Sequence, residues 1–294
     1  MRILNIGSLN LDYVYRVDHI LLPGETESAD SRDLFLGGKG MNQSCALAKA
    51  GAEVFHAGLI GTDGTAFLDA CADSGVDSRY IQTVDTPTGH TVIQLDQNGQ
   101  NSILLFGGAN QQLTRNYVDG VLADFGPEDI LLLQNEVNLI PYIVERAAEK
   151  GMTVALNPSP FNKKLLETDL SKISVFILNE VEGSQITGCT KPDDILDEML
   201  HRYPNALIML TLGGDGAVYR DREQTVFQPI FPVKIVDTTA AGDTFTGYFL
   251  AGLAEGLSMQ EILRRSAKAA SIAVSRAGAV PSIPFRAEVL AELN

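Results

Sequence analysis

Val233-Lys-Ile-Val-Asp-Thr-Thr-Ala-Ala-Gly-Asp-Thr-Phe-Thr-Gly247 joins a strand-like run to a helix-like run through a loop of small residues. Val233 to Val236 is β-branched and apolar, and reads as a short buried strand. Phe245, Phe249 and Leu253 recur at i, i+4 and i+8, which predicts a helix with one apolar face. In the loop between, Thr, Ala and Gly let a ligand come close to the backbone. The helix start presents free N–H groups and a partial positive charge, which suits a phosphate. Asp243 lies at that same start. A carboxylate beside an anion hole is the pairing that phosphoryl transfer to a hydroxyl needs: one takes the proton, the other holds the developing charge. Taken alone, Asp243 is equally an N-cap. Ala240-Ala241-Gly242 before it and Asp237 behind it favour the site.

Composition narrows the function classes. A length of 294 residues allows one large α/β domain or two small ones, and an apolar content of 45% is ample for a core. With a formal charge of −15 the chain repels nucleic acid and anionic membranes, so neither is an expected partner. No apolar run is long enough to span a bilayer. Met1-Arg-Ile-Leu-Asn-Ile-Gly7 reads as a first strand rather than a signal peptide. Cys45, Cys71 and Cys189 are sparse and odd in number, which points to free thiols in a cytoplasmic protein. Cys45 reads as a small buried filler.

Further along the chain, Asn10 and Asp12 follow the first strand at alternate positions and share a side in extended chain. Tyr13 to Val17 and Ser31 to Phe35 have strand composition around a Pro23-Gly24 turn. Gly37-Gly-Lys-Gly-Met-Asn-Gln43 then opens a helix that runs to Lys49, without the spacing of a P-loop. It is either a tight strand–helix connection or, through Lys39 and Asn42, a set of donors for a polar ligand. Thr91 to Leu95 and Ser102 to Phe106 flank Asn98-Gly99, a strong hairpin signal. That hairpin forms either an edge of the main sheet or, paired with the first, a lid.

From Thr114 onward strands and helices alternate, which means a parallel sheet covered on both faces. The expected fold is three-layer α/β/α, with a mainly parallel central sheet and a small β-sheet lid. The core takes residues 1–11, 36–84 and 107–294, the lid 12–35 and 85–106. Ligands in such sheets bind beyond the carboxyl ends of the strands. Asn10, Glu136, Asn157, Asn179, Gly213 and Asp237 all fall at those ends. Asn179-x-x-Glu182 can organise a hydrated Mg²⁺, or it can be a capping box. Thr211-Leu-Gly-Gly-Asp-Gly216 is a turn on which a nucleotide could lie, or only a hairpin.

The Gly37–Gln43 and Asp237–Gly247 motifs, some 200 residues apart and in this order, resemble the two signatures of the ribokinase-like (PfkB) carbohydrate kinases. The resemblance covers nearly the whole chain. Asn157-Pro-Ser-Pro160, Thr88-Gly89 and Gly108-Ala-Asn110 resemble the ribokinase branch in particular. It implies an ATP-dependent sugar kinase that phosphorylates the 5-hydroxyl of ribose, with Mg²⁺ accompanying ATP. It implies Asn10, Asp12, Gly38, Lys39, Asn42 and Glu136 as the sugar site, Asp243 as the base, and Ala240, Ala241 and Gly242 as the anion hole. Asn179, Glu182, Thr211, Gly213 and Gly216 would serve the nucleotide. A potassium ion would be held by Asp237, Thr239, Ala273, Arg276, Gly278 and Ser282, and two lids would clasp in a homodimer. Two departures stand out. The helix at Ser266-Ala267-Lys268 lacks an expected Asn near the adenine, and His90-Thr91 replace small apolar residues against the sugar. The other readings are a kinase for another small sugar or nucleoside, and an inactive sugar-binding regulator of the same fold.

Overall fold

Strands that are apolar from end to end belong in the middle of a parallel sheet, and this chain supplies several of them. The structure, a computed structural model, describes residues 1–293. In chain order the first elements are β1 (Ile3–Ile6), β2 (Asn10–Arg16), β3 (Ser31–Gly37), α1 (Lys39–Lys49), β4 (Val54–Ile60), α2 (Ala66–Ser74), β5 (Asp77–Thr83), β6 (Gly89–Leu95) and β7 (Asn101–Phe106). Next come α3 (Arg115–Leu122), β8 (Ile130–Gln134), α4 (Ile140–Glu149), β9 (Thr153–Asn157), β10 (Val175–Asn179), α5 (Glu180–Thr187) and α6 (Pro192–Arg202). The last are β11 (Leu207–Thr211), β12 (Ala217–Arg220), β13 (Thr225–Gln228), α7 (Ala241–Glu255), α8 (Met259–Val274) and α9 (Arg286–Leu293).

The main sheet has nine strands in the order β13-β12-β11-β10-β9-β8-β1-β4-β5, with only β12 and β13 antiparallel to their neighbours. Alternate side chains of each strand enter two cores. One holds Ile3, Leu132, Ala155 and Ile177 against Met41, Phe245 and Phe249. The other holds Leu4, Leu131, Val154 and Phe176 against Val118, Ile143 and Leu196. The fold is therefore the expected three layers, with α1, α7 and α8 on one face and α3, α4 and α6 on the other.

The two hairpins pair with each other rather than with the main sheet. They form a separate sheet in the order β3-β2-β6-β7, joined by a parallel β2–β6 contact. Every residue of its edge strand β7 is exposed. The partners of Asn10 and Asp12 are Gly89 and Thr91 on β6, and Gly37 and Phe35 on β3.

Two glycines of the Gly37–Gln43 motif are there for space. A Cβ on Gly40 would overlap the backbone of Gly7 and Ser8, and a Cβ on Gly37 would overlap the Asp12 carboxylate. Without them α1 could not close onto the end of β1.

One expectation fails. Val233 to Val236 is not a strand but irregular chain, with Ile235 66% exposed. The sheet ends at β13, and this segment pairs with none of its strands. The segment is tied instead by the Val236 and Asp237 amides, which donate to the Val274 carbonyl at 2.8 and 3.2 Å.

Candidate active site

Asp243 is not a cap. The N-cap of α7 is Ala240, held at a left-handed φ of 60° with no side-chain bond. Asp243 lies one turn in, buried against α1. Asn42 Nδ2 donates to its Oδ2 at 3.0 Å, and Gln43 Nε2 donates to its Oδ1 at 2.9 Å. Both carboxylate oxygens are thus fixed by neutral amides from the Gly37–Gln43 motif. Ala241 N–H reaches the Thr238 carbonyl at 3.3 Å, whereas the N–H groups of Gly242 and Asp243 have no acceptor among the described residues. A Cβ on Gly242 would meet nothing. Free amides, open space and an anchored carboxylate share one helix end.

The residues read as a sugar site converge on this point. Glu136 Oε2 accepts from Ser8 Oγ and, at 3.0 Å, from the Lys39 amide. Burial pushes its carboxyl above the usual range, against the pull of Ser8 and Lys39. Asn10 Oδ1 accepts from Asn110 Nδ2 at 2.8 Å. Asp12 Oδ1 accepts from Thr91 Oγ1 at 2.6 Å. Burial pushes the Asp12 carboxyl up to about 6; the Thr91 bond opposes this and the charge on Glu136 adds to it. Burial by itself would lower the Lys39 ammonium. The carboxylates of Asp243, Glu136 and Glu182 outweigh that and hold it raised, so it stays protonated. Asn42 Oδ1 is buried with no partner.

Thr91 therefore belongs to this group, and His90 does not. The β2–β6 register puts His90 on the face opposite Asp12. There it packs between Tyr13 and Phe106, with ring centroids 6.0 and 5.0 Å away.

The nucleotide-side residues lie at the ends of neighbouring strands, Asn179 directly beside Thr211. Asn179 and Glu182 form a complete capping box: Asn179 Oδ1 accepts from the Glu182 amide at 2.9 Å, and Glu182 Oε2 accepts from the Asn179 amide at 3.1 Å. This occupies one Glu182 oxygen; the other would be free to face the hydration shell of a Mg²⁺, which takes such contacts through water. Thr211 to Gly216 is the β11–β12 hairpin, with Gly213 and Gly214 facing open space.

Asp237 draws together two segments distant in sequence. Its Oδ1 accepts from the amide and hydroxyl of Thr239 at 2.9 and 2.6 Å, and its Oδ2 from the Gly278 amide at 2.9 Å. Partial burial raises its carboxyl, but these bonds outweigh it and keep the group ionised. Of the other tail residues, the Ala273 carbonyl accepts from the Arg276 amide at 3.1 Å. Ser282 Oγ donates to the Ala279 carbonyl at 2.7 Å. The Arg276 guanidinium turns away to pair with Glu288. The Asp237 carboxylate is thus a fixed negative group that joins the Thr239 loop to the Gly278 tail.

Sequence reading missed the residues beneath the site. Gln43, Gln134, Asn5, Ser8 and Asn110 are all buried and hydrogen-bonded to the residues above or to each other. For Asn5 and Gln134 the one signal available was a lone polar residue in an apolar strand, whereas Gln43 and Asn110 lay inside quoted motifs with no role given to them.

The raised Asp12 carboxyl has a consequence for stability. A carboxyl with an ordinary value of 3.8 that rises to about 6 on folding binds its proton more tightly in the folded state. It is neutral without cost at low pH, and it destabilises the fold as pH climbs through that interval. Asp12→Asn keeps an acceptor for Thr91 and removes the charge. The variant should melt a few degrees above the parent at pH 8, with the gap closing below pH 4, in a pH series of thermal denaturation. A difference of about 1–3 kcal/mol is the corresponding scale.

The same fold recurs in known proteins. Residues 2–286 match the model of the pfkB family carbohydrate kinases. A ribokinase of Haemophilus influenzae is 36% identical over 294 residues, covering 97% of this chain and 96% of that protein. The structure of Arabidopsis thaliana ribokinase complexed with ribose and ATP superposes with a TM-score of 0.87 at 32% identity, covering 100% of this chain and 98% of that one. Ribokinase from Cryptococcus neoformans in complex with ADP gives a TM-score of 0.86 at 33% identity, covering 99% of both chains. The chain belongs to the PfkB family of carbohydrate kinases.

Proposed function

We propose that this kinase transfers the γ-phosphate of ATP to the 5-hydroxyl of ribose, giving ribose 5-phosphate and ADP. The observation that carries the reading is the Asp243 carboxylate, held by Asn42 and Gln43 beside the free amides of Gly242 and Asp243. Asp243 takes the proton of the attacking hydroxyl as its oxygen bonds to the γ-phosphorus and the bond to the ADP oxygen breaks. The amides at the start of α7 hold the charge on the transferring phosphoryl group. Lys39, held between the carboxylates of Asp243, Glu136 and Glu182, carries its positive charge to the junction of sugar and phosphates. Asn179 and Glu182 would face the hydration shell of the Mg²⁺ that accompanies ATP, and that ion would screen the phosphate charges. Ribokinases similar to this chain over nearly its full length support ribose as the sugar.

Substrate chemistry favours a bare sugar. Asn10, Asp12, Lys39, Asn42 and Glu136 form a cluster of polar groups for a small ligand, and a wrong sugar leaves some of them buried and unpaired. Asp12 and Glu136 repel a phosphate already on the sugar. An ADP-release assay over pentoses, ketohexoses, nucleosides and sugar phosphates should rank ribose first, with fructose behind and adenosine and fructose 6-phosphate far behind. Turnover of another sugar but not ribose would move the assignment to that sugar and put Thr91 at its root.

Two finer features belong to the same reading. A potassium ion at the Asp237–Gly278 link would order the loop that carries Ala240 to Gly242. Exchange of KCl for tetramethylammonium chloride at constant ionic strength should lower activity several-fold, and an unchanged rate would remove the ion from the scheme. The lid sheet exposes Ile103, Leu104, Leu105 and Phe106 on its edge strand, which suits a homodimer clasped lid to lid. Light scattering at micromolar concentration should give twice the chain mass of 31.7 kDa, and a monomer mass would contradict the clasp. A cytoplasmic location accords with the three free cysteines.

A further inference from the structure

Beneath Asp243 the polar side chains of adjacent strands form one connected row. Strands β10, β9, β8, β1 and β4 are consecutive neighbours in the sheet. Each contributes one polar group on the face under α1: the Ile177 carbonyl, Asn157, Gln134, Asn5 and His56. Gln43 Nε2 donates to Asp243 and, at 3.2 Å, to Asn157 Oδ1, whose Nδ2 donates to the Ile177 carbonyl at 2.7 Å. Gln43 Oε1 accepts from Gln134 Nε2 at 2.7 Å, and the same nitrogen donates to Asn5 Oδ1 at 3.1 Å. Asn5 Nδ2 donates to the Gly40 carbonyl and to Ser44 Oγ, both at 2.8 Å, and Ser44 Oγ lies 2.8 Å from His56 Nδ1.

The sense of every bond follows from one end. An ionised carboxylate only accepts, so Gln43 must present its NH₂ to Asp243 and its oxygen to Gln134. Gln134 must then present its NH₂ to Gln43 and Asn5. Asn5 must turn its NH₂ to Ser44, whose hydroxyl lies against His56 Nδ1. Burial pushes His56 down to about 4, so the ring is neutral and can accept there. The cost of this order falls on Gln134, whose Oε1 is buried without a partner, as is His56 Nε2 at the far end of the row. Reversing Gln134 would leave Gln43 Oε1 facing another oxygen. The orphan is thus tolerated in exchange for the orientation of Gln43.

We propose that Gln43 and Gln134 are positioning residues for phosphoryl transfer: Gln134, out of reach of substrate, holds the Gln43 amide so that its NH₂ rather than its oxygen meets the catalytic carboxylate. This rests on Asp243 being the base. Neither glutamine is open to the cleft, with Gln43 0% and Gln134 1% exposed. Their loss therefore acts on the chemical step and not on sugar binding.

The test is the pH dependence of kcat for Gln43→Met, Gln134→Met, the double variant and Asp243→Asn, with the KM for sugar measured alongside. Each single Met variant should lose at least tenfold in kcat, with KM within threefold of the parent. The acid limb of its kcat profile should move to higher pH, because a carboxylate deprived of a donor holds its proton more tightly. The double variant should be no slower than Gln43→Met, since Gln134 acts through Gln43. Unchanged kcat, or a fall in kcat with the acid limb unmoved, overturns the positioning role and leaves only a structural one. Asp243→Asn with turnover within tenfold of the parent overturns the base and the positioning together. Asp243→Asn inactive beside unaffected glutamine variants overturns the positioning alone. Should the Met variants fail to fold, the parent protein still decides. Its Gln43 side-chain ¹⁵NH₂ resonances should titrate together with the acid limb and stay fixed in Asp243→Asn. Resonances insensitive to pH across that limb overturn the proposal.

Discussion

A buried carboxylate accepts hydrogen bonds and can donate none, and much of this molecule is arranged around that fact. Asp243 is 7% exposed at the junction of two helices. Charge-assisted bonds of its kind contribute about 1.5–3 kcal/mol each, and leaving the carboxylate unpaired costs more. Asn42 and Gln43 meet it only because α1 begins where it does. That start depends on Gly40 lying against the backbone of Gly7 and Ser8. The same descent of α1 lets the Lys39 amide and Ser8 hold Glu136 from the other side. One helix therefore serves the sugar side, the base and the sheet beneath, and its far end reaches further still. Lys49, its last residue, donates to the carbonyls of Val280 and Ile283 at 2.8 and 3.1 Å, beside the segment that Asp237 holds.

Electrostatics at the site runs against the rest of the molecule. The chain carries a formal charge of −15, and its proposed nucleotide substrate is itself an anion. Attraction is therefore local. It comes from the N-terminus of α7, the Lys39 ammonium and unpaired amides, all within a distance that salt does not screen. The carboxylates around Lys39 do not cancel this so much as keep it in place. They hold the lysine protonated despite its burial, and each of them is in turn fixed by amide or hydroxyl donors.

The parts of the fold that were legible in the sequence are those whose causes are local. Apolar runs broken by helical periodicity mark the layers, and Asn98-Gly99 marks a hairpin by turn chemistry alone. Gly37–Gln43 and Ala240–Asp243 are short enough for their helix starts to be read directly. What stayed hidden depends on partners far away in the chain. Gln43 and Asp243 are 200 residues apart, and Asn5 and Gln134 are 129 apart, so no window of sequence joins them. Asn5 stood out only as a polar residue in an apolar strand. Val233 to Val236 has the composition of a strand but pairs with none. His90 and Thr91 are adjacent, and only the parallel register of β2 on β6 decides which of them faces Asp12. Asn179 and Glu182 fit both of their readings, because a capping box uses one glutamate oxygen and leaves the other.

The exposed strand β7 also bears on how the chain is made. All four strands of the lid sheet lie before residue 107, so that sheet can close while most of the main sheet is still untranslated. Ribosomes add roughly 5–20 residues per second, so the rest of the chain follows over about 10–40 s. For that interval a hydrophobic strand edge is on offer to any extended segment nearby, including the same strand on a neighbouring nascent chain. The hazard is thus greatest early in synthesis and on crowded messages. That edge is made well before helix α7 has left the ribosome.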